Sequence, residues 1–207
     1  AVSEEGRLSG ELGNILAACF TEEELNAISE GENTEIRLTV VSLKKEMNLT
    51  KKDRKAIEKA MIEYAGAVDG LELGTLYEVV IERKIGDGDW EKLSELHEEI
   101  DVTIEIPEEI RKDGRTYFAI RNHEGECTIL KDKDNAPYTI TISTGLFSTY
   151  AITFTDAAAA ADVDVEILPP VNSATPVWPW ILVIAVLAMG AITFIVWKKR
   201  SEETGEV

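Results

Sequence analysis

Between Val177 and Trp197 the chain runs for twenty-one residues without a charge (VWPWILVIAVLAMGAITFIVW), then turns basic at Lys198, Lys199 and Arg200. No other feature constrains the fold as tightly. At about 1.5 Å rise per residue, a helix of this length matches the roughly 30 Å hydrocarbon core of a bilayer. Trp178 and Trp180 stand at one end and Trp197 at the other, where indole rings favour the headgroup boundary. The basic triplet predicts a cytoplasmic C-terminus and places everything before Val177 outside. A globular helix that is apolar all round is uncommon at this length. The sequence therefore predicts an extracellular domain held in the cell membrane by a single C-terminal helix, with the lipid bilayer as its first partner.

The formal charge is −18, from 39 acidic and 21 basic residues. Beyond Trp197 the three basic residues are offset by Glu202, Glu203 and Glu206, so the charge lies before the membrane segment. A domain this acidic repels phosphate backbones and anionic headgroups, which argues against nucleic acid as a partner. It favours a hydrated surface held off a negatively charged envelope. Cys19 and Cys127 are far apart and belong to no CxxC or Cys/His cluster. A disulfide between them and two buried free thiols are both open. The chain opens at Ala1 without a Met or a secretory leader, whereas an outside N-terminus requires secretion. A longer or processed precursor is the expectation.

Residues 1–156 read as one α+β domain, mainly an antiparallel β-sandwich with two inserted helices. Thr21 and Glu24 form a capping box ahead of a helix over about 22–29, and Thr50 caps a second over about 51–64. Ala56, Ile57, Ala60, Met61 and Tyr64 are its apolar stripe. Strands are expected over 35–43, 76–84, 90–96, 100–106, 115–121, 127–131, 138–143 and 147–155, and Ile100, Val102, Ile104 and Ile106 give the clearest alternation. Gly86–Asp89 and His123–Glu126 read as hairpin turns. Thr149 and Ala151 alternate as on a half-buried sheet. Residues 157–176, with an Ala run, acidic residues and Pro169, Pro170 and Pro176, read as a semi-stiff spacer without a core face. Residues 198–207 form a short cytoplasmic tail.

Catalytic parts are missing. His97 and His123 are the only histidines, and no nucleophile motif or zinc signature accompanies them. Glu98-Glu99 and Glu108-Glu109 are adjacent pairs, which point to opposite faces of a strand. Asp87, Asp89, Asp101 and Asp113 are hard oxygen ligands in type, but turn chemistry accounts for the Gly-Asp run. Neither a cofactor, a metal nor a small-molecule substrate is expected. Asn48-Leu49-Thr50 matches a glycosylation acceptor, though Thr50 is explained as a helix cap. Phe147 and Tyr150 read as core and corner residues.

Phe147, Ser148, Thr149, Tyr150 and Ala151 nevertheless form a recognisable string. It resembles the closing strand of modules that precede the wall anchor in surface proteins of Gram-positive, clostridial-type bacteria. The likeness extends backward through Ile100–Ile110 (IDVTIEIPEEI) and Arg115–Leu130, and covers most of residues 20–156. It implies a β-rich, membrane-proximal module of a cell-surface protein. One departure matters: the family's LPxTG sorting pentapeptide has only a degenerate counterpart beginning Leu168-Pro169, without the Thr-Gly pair that a sortase attacks.

The expected function is thus a non-enzymatic stalk or spacer that displays upstream segments. The alternatives are a binding module for an envelope or host protein, or a wall protein attached through a variant sorting signal.

Overall fold

The computed structural model describes residues 6–43, 49–134, 136–158, 160 and 163–172. The predicted membrane segment and basic stop, with Trp178, Trp180, Trp197, Lys198, Lys199 and Arg200, lie outside these residues. Among the described residues no helix is long and apolar enough to cross a membrane.

Two antiparallel sheets and three α-helices make up the described fold. In chain order the elements are β1 (Gly6–Ser9), α1 (Leu12–Cys19), α2 (Glu22–Ser29), β2 (Thr34–Ser42), α3 (Lys51–Tyr64), β3 (Glu72–Ile85), β4 (Glu91–Leu93), β5 (Glu95–Glu105), β6 (Thr116–His123), β7 (Glu126–Lys131), β8 (Thr139–Leu146), β9 (Thr149–Thr155) and β10 (Val171–Asn172). The small sheet has the order β1-β5-β8, and the large one β10-β7-β6-β9-β3-β2 with β4 alongside β3. The alternating run of β5 faces the large sheet: Ile100, Val102 and Ile104 pair with Thr144, Ile142 and Ile140 of β8. Together they bury against Leu38, Val40, Val79, Ile81, Tyr150 and Ile152.

The expected α+β sandwich is present, with one layer more. The outer face of the large sheet is covered by α3, whose Ala56, Ile57, Ala60 and Tyr64 pack on Phe118, Ile120, Cys127, Ile129 and Ala151. The middle strands are therefore buried on both faces, and every residue of β9 from Tyr150 to Thr155 is buried. A half-buried strand at Thr149–Ala151 is not what forms. The alternation there separates two cores rather than core from water.

Both helix caps form as the sequence predicts. The Thr21 amide donates to Glu24 Oε2 at 2.8 Å, and the Asp53 amide donates to Thr50 Oγ1 at 3.1 Å. A third helix, α1, is present where two were expected. Its N-cap, Glu11, makes no side-chain capping bond, and Gly13 and Asn14 are weak helix formers in its first turn. It forms because Ile15, Ala18 and Cys19 reach the sandwich core.

Two strand boundaries also differ. β3 begins at Glu72 and runs through Gly74, where the register to β9 shifts. A side chain there would lie 2.7 Å from Ile110 Cδ1 and 2.9 Å from the Ile152 carbonyl, so only Gly fits. The predicted return strand 90–96 is divided at Ser94: β4 stays on β3, while β5 departs to the other sheet. The β6–β7 hairpin closes through Glu124 (φ 53) and Gly125 (φ 93), a two-residue turn with both central residues left-handed.

Candidate functional site

Asn172 is the last described residue before the predicted membrane segment. The described residues between 157 and 172 contribute to the fold. Ala160, Val165 and Val171 are buried in the core beneath α3, and Val163 and Leu168 pack against it. Asp164 caps a short 3-10 turn, Val165–Ile167, by accepting from the Glu166 amide at 3.2 Å. Val171 and Asn172 then add β10 to the edge of the large sheet, opposite Cys127 and Glu126. Scattered valines carry no periodicity when they pack from an irregular segment, so the sequence does not announce these contacts.

Two groups, Tyr64 and Lys59, fasten this strap. The Tyr64 hydroxyl lies 2.8 Å from the Cys127 carbonyl oxygen and 3.2 Å from that of Pro169, and donates its one proton between them. Lys59 Nζ donates to the Asn172 carbonyl at 2.7 Å. Lys52 Nζ donates to the Glu124 carbonyl at 3.1 Å, at the tip of the neighbouring hairpin. Burial pushes the Tyr64 hydroxyl up to about 12, so it stays a donor across the physiological range. Of the degenerate sorting string, Leu168 packs against this core and the exposed Pro169 is held through its carbonyl oxygen.

The signature strand is equally structural. Phe147 is buried and its amide donates to the Ser94 carbonyl at 2.8 Å, while the Ser148 carbonyl accepts from Val79 at 2.9 Å. Thr149 pairs with Glu78 and Asn122. Tyr150 is fully buried, and its hydroxyl donates to the Leu146 carbonyl beside Thr144 Oγ1 at 2.9 Å. This resembles the tyrosine corner of β-sandwiches. Ala151 is pinned between Leu76 and Ile120.

The chemistry-bearing residue types are dispersed. His97, Glu98, Glu99, Glu108 and Glu109 are exposed, and Asp87, Asp89 and Asp113 lie on exposed turns. Asp101 is taken by Lys133, at 2.6 and 2.8 Å. No group of three His, Cys, Asp or Glu among the described residues could hold a metal ion. Cys19 and Cys127 are free and buried in different cores, which decides between the two alternatives for the thiols. Burial pushes the Cys19 thiol up to about 11 and the Cys127 thiol to about 12, the opposite of a reactive cysteine.

A cleft at one end of the sandwich gathers Arg111, Lys112 and Arg115, a concentration of cations rare in this chain. All three are paired. Asp156 accepts from Arg115 at 2.9 Å and Lys112 at 2.7 Å, which holds its carboxyl well below the usual range. Arg111 is bound by Glu105 at 2.6 Å and stacks on Tyr138. Among the described residues, the outer face of α3 also carries cations, with Lys51, Lys52 and Lys55 exposed. The run KKDRKAIEK carries these cations in the sequence.

No family model, curated protein or solved structure matches this chain. The resemblance of the Phe147–Ala151 strand rests on its residues alone.

Proposed function

We propose that this chain is the membrane-proximal, non-enzymatic end of a bacterial surface protein, folded outside the cell and retained by one helix over 177–197. The observation that carries the reading is the uncharged, Trp-flanked segment closed by Lys198, Lys199 and Arg200. The strap supports it. With the fold continuing to Asn172, at most about 18 Å of fully extended chain separates that residue from Val177. Four residues, 173–176, separate the strap from Val177, in place of a twenty-residue spacer. Leu168 packs against the core beneath α3 and the Pro169 carbonyl accepts from Tyr64, which speaks against wall attachment at that string, since a transpeptidase needs a substrate free of the fold. Display of upstream segments follows: a three-layer body with two cores makes a stiff base, and buried, protonated thiols suit an oxidising exterior.

Deleting residues 177–200 tests the anchor. The protein should pass from the membrane fraction into the medium in a folded state. Retention of the deleted protein in the membrane fraction would overturn the proposal.

A further inference from the structure

The outer face of α3 is the exception to the acidic surface of this domain. Of its fourteen residues, Lys51, Lys52, Arg54, Lys55 and Lys59 are basic and Asp53, Glu58 and Glu63 acidic. At 3.6 residues per turn, Lys51, Lys55, Glu58 and Ile62 share the solvent side, with Lys52 and Lys59 on one flank. Asp53 is turned inward, where its carboxylate accepts from the Thr50 hydroxyl and the Asn122 amide, and Glu63 pairs with Lys59. Glu58 is the one exposed acid left on that side. Lys51 and Lys55 form no ion pair or hydrogen bond among the described residues. Ile62, one turn beyond Glu58 on that side, is 74% exposed, one of the most exposed large hydrophobic residues described.

The position of this face matters as much as its charge. Lys59 touches Asn172, the last described residue, and Lys52 touches the adjoining hairpin tip at Glu124. The basic helix thus flanks the point from which the chain proceeds, within five residues, to Val177. We infer that the outer face of α3 docks on an anionic lipid surface, with Lys51, Lys52 and Lys55 against headgroup phosphates and Ile62 at the acyl boundary. The inference rests on the anchor reading above. Each lysine near an anionic surface strengthens association roughly fivefold, too little to recruit a free acidic domain but enough to orient one already tethered. The acidic remainder of the domain is repelled by the same surface, which reinforces the orientation.

The test uses the full chain carrying Ile62→Cys, labelled with an environment-sensitive fluorophore; the native thiols are buried. It is reconstituted into vesicles of phosphatidylcholine alone or with about a third phosphatidylglycerol, and quenching by neutral acrylamide is measured. The docked face predicts about twofold weaker quenching in the anionic vesicles, lost in 0.5 M-range salt (Debye length about 4 Å) and in the Lys51→Glu/Lys55→Glu variant. A label at Leu12 should be quenched alike in both. Equal quenching at position 62 in both vesicles, in protein that floats with them, overturns the docking and leaves the anchor standing. Protein that floats with neither vesicle overturns the anchor, and the docking with it.

Discussion

The hydroxyl of Tyr64 lies 3.2 Å from the carbonyl oxygen of Pro169, and through it α3 holds the segment that leads out of the domain. The same hydroxyl lies 2.8 Å from the Cys127 carbonyl on β7, so one proton shared between two acceptors ties helix, sheet and strap together. Replacing Tyr64 by Phe removes the donor from two carbonyls. The expected cost is about 1–3 kcal/mol, with faster amide exchange concentrated in 165–172. Uniform acceleration across the domain would show that the strap has no separate dependence on this contact.

Removing the strap altogether is a stronger test of where the domain ends. A chain stopped at Asp156 uncovers the core that Ala160, Val165 and Val171 close. Two buried valines contribute about 3–6 kcal/mol before the entropy of ordering the strap is subtracted. The shorter chain should therefore melt several degrees below one ending at Ser173. Equal melting temperatures would restore the open-spacer reading.

Some of this was legible in the residues and some was not. Thr21/Glu24 and Thr50/Asp53 announce α2 and α3 because capping is local chemistry: the partners lie three residues apart. Ile100–Ile106 announces β5 because alternation is a property of the strand itself. Helix α1, uncapped and interrupted by Gly13, depends on Phe20 and the small sheet for its burial, and such contacts leave no periodic trace. Ser94 carries the chain from one sheet to the other, which only strand partners reveal. For the site, the membrane segment and the KKDRK run stand in the sequence, whereas the anchoring of Leu168 and Pro169 requires Tyr64, more than a hundred residues away.

Gly74 marks a tight approach of β3 to Ile110 and to the Ile152 carbonyl. Gly74→Ala should cost about 1–3 kcal/mol by overpacking, read from urea unfolding. A neutral effect would mean that the bulge can yield.

Acid stability should depend on Asp156. Arg115 and then Lys112 hold its carboxyl below the ordinary range, so the folded state binds its proton less readily than the unfolded chain. The stabilisation is present above the unfolded value, about 4, and fades as pH falls below it. Asp156→Asn should flatten the decline of stability between about pH 4 and pH 2. An unchanged slope would remove Asp156 from the acid limb.

The alkaline limb has the opposite sign. Burial, then the charges of Asp53 and Glu126, push the Cys127 thiol up to about 12, while an unfolded thiol ionises near 9.0. The stabilisation is complete below the unfolded value and declines as pH rises toward about 12. Cys127→Ala should shallow the loss of stability above pH 9, the unfolded thiol's value, in urea titrations. In native protein neither thiol should react with Ellman's reagent, and both should react in urea. Rapid native labelling would contradict the burial.

The central claim is that the chain remains in the bilayer through residues 177–197. The most direct measurement is fractionation of the host envelope after wall digestion, with the C-terminus of the product read by mass spectrometry. The account predicts recovery in the membrane fraction with the residues after Trp197 still attached. Release with wall fragments, ending within 168–176, would contradict it and make the apolar segment a transient stop.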